Sequence, residues 1–507
     1  MKTVREKLDS VKKKLVLLCS QPHKIYLIVG LIGALGFAII TPPFQGPDEP
    51  EHYIRVQYIA HGYVIPVNPK STGASLPKSI GETLRLTFYD DEIRGFSAKK
   101  YDFNRTKQAV KKSLNPSERY QPPMVSYNFL TYLPAVPGVF LANVFNLSPV
   151  ISLYVARILL ALASVVIVYF AIKLLPGKKY LFTFVALLPM MLFQQSMVGT
   201  DGVSYALLLL FLAYVLRLYT QSTDTQRNQW VKLAILCGTI VWSKPLLYLF
   251  LPLIIILVKK KHFWRWSITA AVISVLLLGA NIVMANNAGE YEYRSDSLPQ
   301  NIQSDKQLQN LKEHPKRGPR VLWNSYMTSF GDDEARGVVG TFGAADTLYP
   351  LWMGYIYIFV LGMTATVSLG KDKSKLTIPN SWRWLAVGLA AVHFVAVNVA
   401  IYLTYTPYNF DIIYGVQGRY FLPTLIIIFM AIFLGRGAEL KPQDKKNIIT
   451  ISSLIILLLV IMALLITFQR YFMYTPYHEV TVCKISKKII SGTRWAHCYR
   501  VRSLRYY

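Results

Sequence analysis

The stretch VISLYVARILLALASVVIVYFAI, residues 150–172, decides the fold. It is apolar almost without break and close to the roughly 20 residues that an α-helix needs to cross a bilayer. Similar runs lie at 25–40, 180–198, 203–219, 231–258, 267–285, 348–369, 384–403, 420–434 and 448–468. The run 231–258 is too long for one crossing and is interrupted by Lys244-Pro245, so it reads as two short helices meeting at that dipeptide. The expectation is an all-α polytopic transmembrane helix bundle of about eleven spans.

The whole chain agrees with that stretch. Of its 507 residues, 53% are hydrophobic and only 16% charged, against roughly 25% charged in soluble domains. A mean hydropathy of +0.33 excludes a soluble enzyme of this length. The 33 Tyr suit membrane interfaces, where that ring is enriched. Lys and Arg outnumber Asp and Glu by 55 to 27, for a net charge of +28. These cations sit between apolar runs and no nucleic-acid motif accompanies them, so membrane lipids are the expected partners and nucleic acid is not. Four Cys make no disulfide framework. Cys19 and Cys237 lie in or beside apolar segments; Cys483 and Cys498 share the tail, where a disulfide and two free thiols both fit.

Residues 1–24 form a basic N-terminus with Lys12, Lys13 and Lys14 in a row. After the first run, Thr41-Pro42-Pro43-Phe44 lacks a small-x-small cleavage pattern, so the span reads as retained with its N-terminus cytoplasmic. Segment 124–145 is apolar but carries Pro134 and Pro137, and reads as a helix lying in or dipping into the interface. Loops bearing Lys173/Lys178/Lys179, Arg217/Arg227/Lys232, Lys259/Lys260/Lys261/Arg265, Lys371/Lys373/Lys375/Arg383 and Arg436/Lys441/Lys445/Lys446 then all fall inside, as the positive-inside bias requires. The organisation is a core over 25–436 with long outer loops at 41–146 and 286–346, followed by 437–507, the last span and a basic outer tail. The aromatics, prolines and mixed charge of the two loops favour ordered structure at the membrane surface.

The unusual residues gather on that outer face. Asp48 and Glu49 follow the first span between Pro47 and Pro50, which stiffen the chain. A carboxylate so fixed suits a general base, and equally an acidic cap for a helix starting near Pro50. Asp201 occupies the short turn between two spans, Lys244 the tip of the broken hairpin, and Asp411, Gln417, Arg419 and Tyr420 the approach to the tenth span. Lys244 and Arg419 can hold a phosphate or neutralise Asp201 and Asp411. Gln121-Pro122-Pro123 ends the first loop or lines a cleft; His52 and Asp346 are further lining candidates. Asp332-Asp333-Glu334 reads as solvated charge rather than a metal cluster. No His spacing, glycine loop, nucleophile elbow or zinc signature points to a metal or cofactor.

In order along the chain come Pro47-Asp48-Glu49-Pro50-Glu51-His52, Tyr120-Gln121-Pro122-Pro123, Thr200-Asp201-Gly202, Ser243-Lys244-Pro245, Gly340-Thr341-Phe342-Gly343 with Asp346, and Gly415-Val416-Gln417-Gly418-Arg419-Tyr420-Phe421-Leu422-Pro423. On these elements the chain resembles, from Thr41 to Pro423, the bacterial polytopic family catalogued as domain of unknown function 2142. That family is similar in layout to C-type glycosyltransferases. The resemblance implies a bacterial plasma-membrane enzyme with an extracytoplasmic site, a polyprenyl-phosphate-linked sugar as donor and a cell-envelope polysaccharide or lipid-linked glycan as acceptor. It also implies an acidic base in the first outer loop, at Asp48 or Glu49, with the order of the two leaving open which one acts. Arg419 and Lys244 would face the donor phosphate; His52, Gln121, Asp201, Asp346, Gln417 and Tyr420 would line the substrate. A flippase for a lipid-linked saccharide and a non-catalytic subunit of an envelope-glycan complex are the rival readings.

Overall fold

The computed structural model describes residues 21–87, 100–115, 117–221, 225–287, 301–327, 331–366, 378–434, 440–473, 478–484 and 497–503. Cys19 and the basic residues 371–375 and Arg436 lie outside them. Among the described residues, six helices are long and apolar enough to cross a membrane. They are α1 (Pro22–Ile40), α4 (Pro149–Leu174), α7 (Asp201–Thr220), α9 (Phe263–Asn287), α12 (Asn380–Thr404) and α14 (Pro442–Phe472). The chain is thus a polytopic helical membrane protein.

The other apolar runs fold as shorter or broken pieces, so fewer of them than the expected eleven are full-length spans among the described residues, while the break in run 231–258 falls at the expected dipeptide. Run 180–198 divides into α5 (Lys179–Ala186) and α6 (Pro189–Ser196), because Pro189 cannot supply the amide that would continue the helix. Run 231–258 becomes α8 (Arg227–Ser243) and a 3-10 stretch, Leu247–Leu257. The break falls at Lys244, whose backbone is extended as a residue before proline prefers, and Pro252 keeps the second half from forming an α-helix. Helix α11 (Leu351–Thr366) has 16 residues. Run 420–434 is divided between a 3-10 turn, Gly418–Phe421, and α13 (Leu422–Phe433), with Pro423 in its first turn.

The long segment between the first two of these helices, α1 and α4, is ordered over its described residues. It opens with α2 (Glu49–Ala60) and continues through helices Lys78–Thr87 and Phe103–Val110. A small antiparallel pair, β1 (Leu76–Pro77) with β2 (Arg119–Tyr120), ties its middle together. Segment 124–145 forms a 3-10 turn and the nine-residue α3 (Val136–Val144). At 1.5 Å per residue α3 is less than half the thickness of a bilayer core, and it exposes Phe140, Leu141, Val144 and Phe145. It is therefore too short to cross a bilayer by itself. The second long segment, after α9, includes α10 (Gly331–Gly340), leading into the hairpin β3 (Thr341–Phe342) and β4 (Thr347–Leu348). In the tail, β5 (His478–Lys484) pairs with β6 (His497–Ser503) in a register that sets Cys483 opposite Cys498.

Helices α1, α4 and α7 form the packed heart of the molecule. Little hydrophobic force separates a span from lipid, so close backbone approach does the joining. At Gly202 a Cβ would lie 2.5 Å from the Gln194 carbonyl oxygen and 2.5 Å from Gln195 Cα. The absence of a side chain there lets the start of α7 press onto α6, which fixes the turn carrying Asp201.

Candidate active site

The two adjacent acids part company. Asp48 has a left-handed backbone, φ 55° and ψ 16°, and stands at the N-cap of α2 without capping it. Its exposed carboxylate instead accepts from Arg419 Nη2 at 2.6 Å. Glu49 turns the other way and is fully buried. Its carboxylate takes both Nε (2.7 Å) and Nη2 (2.6 Å) of Arg157 and also the amides of Val198 and Gly46, each at 3.1 Å. Arg157 spends its remaining donors on the carbonyls of Ala38, Thr41 and Pro42. Every strong hydrogen-bonding position of this buried pair is used, as such a pair requires. Glu49 is therefore a structural clamp joining α1, α2, α4 and the turn before α7, which corrects its candidacy as a base.

A cavity of about 210 Å³ opens beside Asp48. Its polar lining comprises Asp48, His52, Asp201, Lys244, Arg419 and Tyr420 among others. Apolar side chains line it as well, among them Leu246 and Leu247, Pro423, and the α12 residues Val397, Ala400 and Ile401. Lys244 donates to Asp201 Oδ1 and to the Tyr205 hydroxyl at 3.3 Å. Its ammonium lies 5.2 Å from the ring centres of both Tyr205 and Tyr420. Arg419 is brought in by the 3-10 turn and packs 5.1 Å from the Tyr420 ring centre. Gly337 of α10 permits this, since a Cβ there would lie 2.8 Å from the Gly418 amide nitrogen. The Tyr205 hydroxyl in turn donates to the Arg419 carbonyl at 3.1 Å.

Two carboxylates thus face two cations. Within that set Asp201 Oδ2 and Arg419 Nε are buried with no hydrogen-bond partner, and they stand 3.9 Å apart. Such atoms cost free energy until something pairs with them. His52 belongs to the same lining; its Nδ1 is 2.6 Å from the Tyr132 hydroxyl. Burial pushes the imidazole down to about 4, against the opposing pull of Asp48 and Asp201, so the ring is neutral at pH 7.

Other candidates fall elsewhere. Gln121 is exposed just after β2, and its neighbour Pro122 accepts the Tyr58 hydroxyl at 2.6 Å, so the motif anchors the loop rather than lining the cavity. Asp346 is buried in the turn of the β3–β4 hairpin and bonded to Arg470 Nη2 at 2.6 Å, with Thr347 and Tyr471 also on it. Burial raises its carboxyl above the ordinary value, against the pull of Arg470. It locks the hairpin to the end of α14. Gln417 is the half-buried N-cap of the 3-10 turn and is not among the lining residues; its carbonyl accepts the Tyr420 amide at 3.0 Å. Asp411 pairs with Arg317 at 3.5 Å, away from Lys244 and Arg419. The side chains of Asp332, Asp333 and Glu334 lie outside the described ones. Among the described residues, no three His, Cys, Asp or Glu side chains gather as a metal would need.

The sequence reading did not find Tyr127, Tyr205 and His393, which also line the cavity, or Arg157 behind it. His393 and Arg157 each gave a signal: an ionisable side chain inside an apolar span is expensive unless it has a partner or a task. His393 Nδ1 is 2.8 Å from the Thr424 hydroxyl.

A family model described as "Predicted membrane protein (DUF2142)" matches residues 31–428, a stretch that includes every lining residue of the cavity. No curated protein matches the chain, and no solved structure does.

Proposed function

We propose, for a chain that belongs to the DUF2142 family of predicted membrane proteins, that it is a membrane glycosyltransferase of the C-type layout. It moves a sugar from a polyprenyl-phosphate donor to an envelope polysaccharide or lipid-linked glycan on the outer face of the plasma membrane. The observation that carries this reading is the composition of one cavity: an exposed carboxylate on a stiffened loop, two cations from distant segments, and apolar side chains in the same lining. An amphiphile with an anionic head meets all three features.

In the proposed reaction the acceptor hydroxyl oxygen attacks the anomeric carbon. The bond from that carbon to the phosphate oxygen breaks with inversion, and polyprenyl phosphate leaves with the bonding pair. Asp48 takes the hydroxyl proton as general base. Arg419 and Lys244 stabilise the charge that builds on the leaving phosphate. Both cations are occupied by carboxylates before substrate enters, so the donor phosphate competes with Asp48 for Arg419 and frees the base as it binds. Tyr127 and Tyr420 offer ring faces to the sugar. The direct test supplies purified protein with a radiolabelled polyprenyl-phosphate sugar and envelope glycan, and follows release of polyprenyl phosphate. Consumption by the wild-type chain and none by Asp48→Asn is expected; equal consumption by both would overturn the assignment.

One observation favours a second reading. His393 lies near the middle of α12, facing the same cavity, and translocation paths use such mid-membrane groups. Flipping of a fluorescent lipid-linked saccharide by the protein in liposomes, with no sugar transferred, would select this reading.

A further inference from the structure

A second cavity, of about 410 Å³, lies between α8 and α9. Val231, Ile235, Gly238 and Trp242 line it from α8, and Ile273 and Leu277 from α9. Their spacing of three, four or seven residues makes one continuous stripe on each helix. The helices run side by side in the same direction, with Trp242 Nε1 donating to the Leu277 carbonyl at 3.2 Å. Gly238 lets α9 approach at the groove floor, since a Cβ there would lie 3.1 Å from Leu277 Cδ1. From Val231 to Trp242 the groove extends about 16 Å at the helical rise. Its two threonines turn their hydroxyls back onto their own helices, Thr239 to the Leu236 carbonyl at 2.8 Å and Thr269 to the Arg265 carbonyl at 2.9 Å. What remains on the surface is hydrocarbon. Only 11% of the most apolar window of α9 is buried, the least of the six long helices, so the groove has an open flank.

The groove is next to the first cavity. Two short segments make the partition: Tyr127 faces the first cavity while Leu130 faces the groove, and Lys244 faces the first while Trp242 faces the groove. Asn128 pins the partition by donating to the Trp242 carbonyl and to Asn281 Oδ1, while Asn281 Nδ2 donates to the Val241 carbonyl at 3.2 Å. A fixed ridge therefore separates a charged pocket from a hydrocarbon channel.

We infer that this groove seats the isoprenoid tail of a lipid phosphate whose head enters the Asp48–Lys244–Arg419 cavity, an inference that rests on the reading above. The tail bends over the 127–130 ridge and descends along the α8–α9 stripe. The groove adds affinity in proportion to the hydrocarbon it covers and reads no polar group, so it selects chain length rather than head chemistry.

The test uses the full-length protein in detergent and two probes, geranyl phosphate and undecaprenyl phosphate, with binding followed by native mass spectrometry. Ile235→Trp fills the groove from an exposed position, which spares the packing; Gly238→Phe fills it from the floor. Both variants are expected to weaken undecaprenyl phosphate by about tenfold or more while geranyl phosphate binds as to the wild type. Geranyl phosphate bound normally, with undecaprenyl phosphate unaffected by Ile235→Trp, would overturn the groove and leave the head site standing. A phospholipid that stays in the groove and is not displaced by undecaprenyl phosphate would do the same. Failure of both probes to bind the wild-type protein would overturn the lipid-phosphate reading and the groove with it.

Discussion

Glu49→Gln should unfold the protein much more readily than Asp48→Asn, although the two acids are neighbours. In Glu49→Gln the guanidinium of Arg157 keeps its carbonyl contacts to Ala38, Thr41 and Pro42 but loses the only carboxylate bound to it. The new amide NH₂ also points a donor at donors. Removing one partner of a fully buried pair costs on the order of 3–5 kcal/mol, and both side chains here are 0% exposed. The Asp48 carboxylate is 60% exposed, so its bond to Arg419 is worth about 0–1 kcal/mol. The assay is chemical unfolding in mixed detergent micelles, run on wild type, Asp48→Asn, Glu49→Gln, Arg157→Gln and the Glu49→Gln/Arg157→Gln double variant. The cycle should give a coupling energy of about 2–3 kcal/mol, with the double variant less unstable than the sum of the singles. Additive single effects, or a Glu49→Gln curve lying on that of Asp48→Asn, would refute the clamp. Normal stability of Asp48→Asn with loss of sugar transfer would separate chemistry from scaffold at adjacent positions.

Three further outcomes can be checked. Arg419→Ala should raise the donor concentration needed for half-maximal transfer by about tenfold or more, the worth of a charged hydrogen bond; unchanged turnover at limiting donor would count against its phosphate role. His52 is neutral in the folded chain down to about 4 and titrates near 6.5 when unfolded. The unfolded state therefore binds the extra proton between those values, and stability present above pH 6.5 is lost as pH falls toward 4, by about 3 kcal/mol in all. The unfolding midpoint of His52→Phe should fall less over that window than the wild type's. Gly202→Ala drives a methyl against the backbone of Gln194 and Gln195; a destabilisation of about 1–3 kcal/mol with displacement of Asp201 is expected, read as weaker protection of α6 amides in hydrogen exchange.

Much of the architecture was legible because lipid imposes a simple length rule on the chain, and the apolar runs fall where helices or helix pieces stand. The rule says less about how a run is used. Pro189, Pro252 and Pro423 were visible, yet whether a proline kinks, divides or merely starts a helix depends on neighbours that can re-satisfy the freed carbonyls. The convergence of Asp48, Asp201, Lys244 and Arg419 could be anticipated from their shared face, since segments that end on one side of a bundle have few places to go. The fate of Glu49 could not be read from its own surroundings. Its partner Arg157 lies within the stretch of residues 150–172, where it passes as a break in hydrophobicity; asking what neutralises that cation would have led to the acid. Gln121 and Asp346 could not be assigned from sequence for the opposite reason: loop motifs rich in Pro, Gly and Asp look alike whether they build a turn or line a cleft.

The backbone of Asp48 decides which replacements can be informative there. Asn and Gly settle into a positive φ at little cost, so they alter the carboxylate and leave the chain path alone. Glu, Val or Ile would resist that rotation and drag the start of the following helix with them. A survey of folding stability at this one residue would then rank side chains by their torsional comfort, with Asn folding normally while transferring no sugar and Glu losing stability despite its carboxylate.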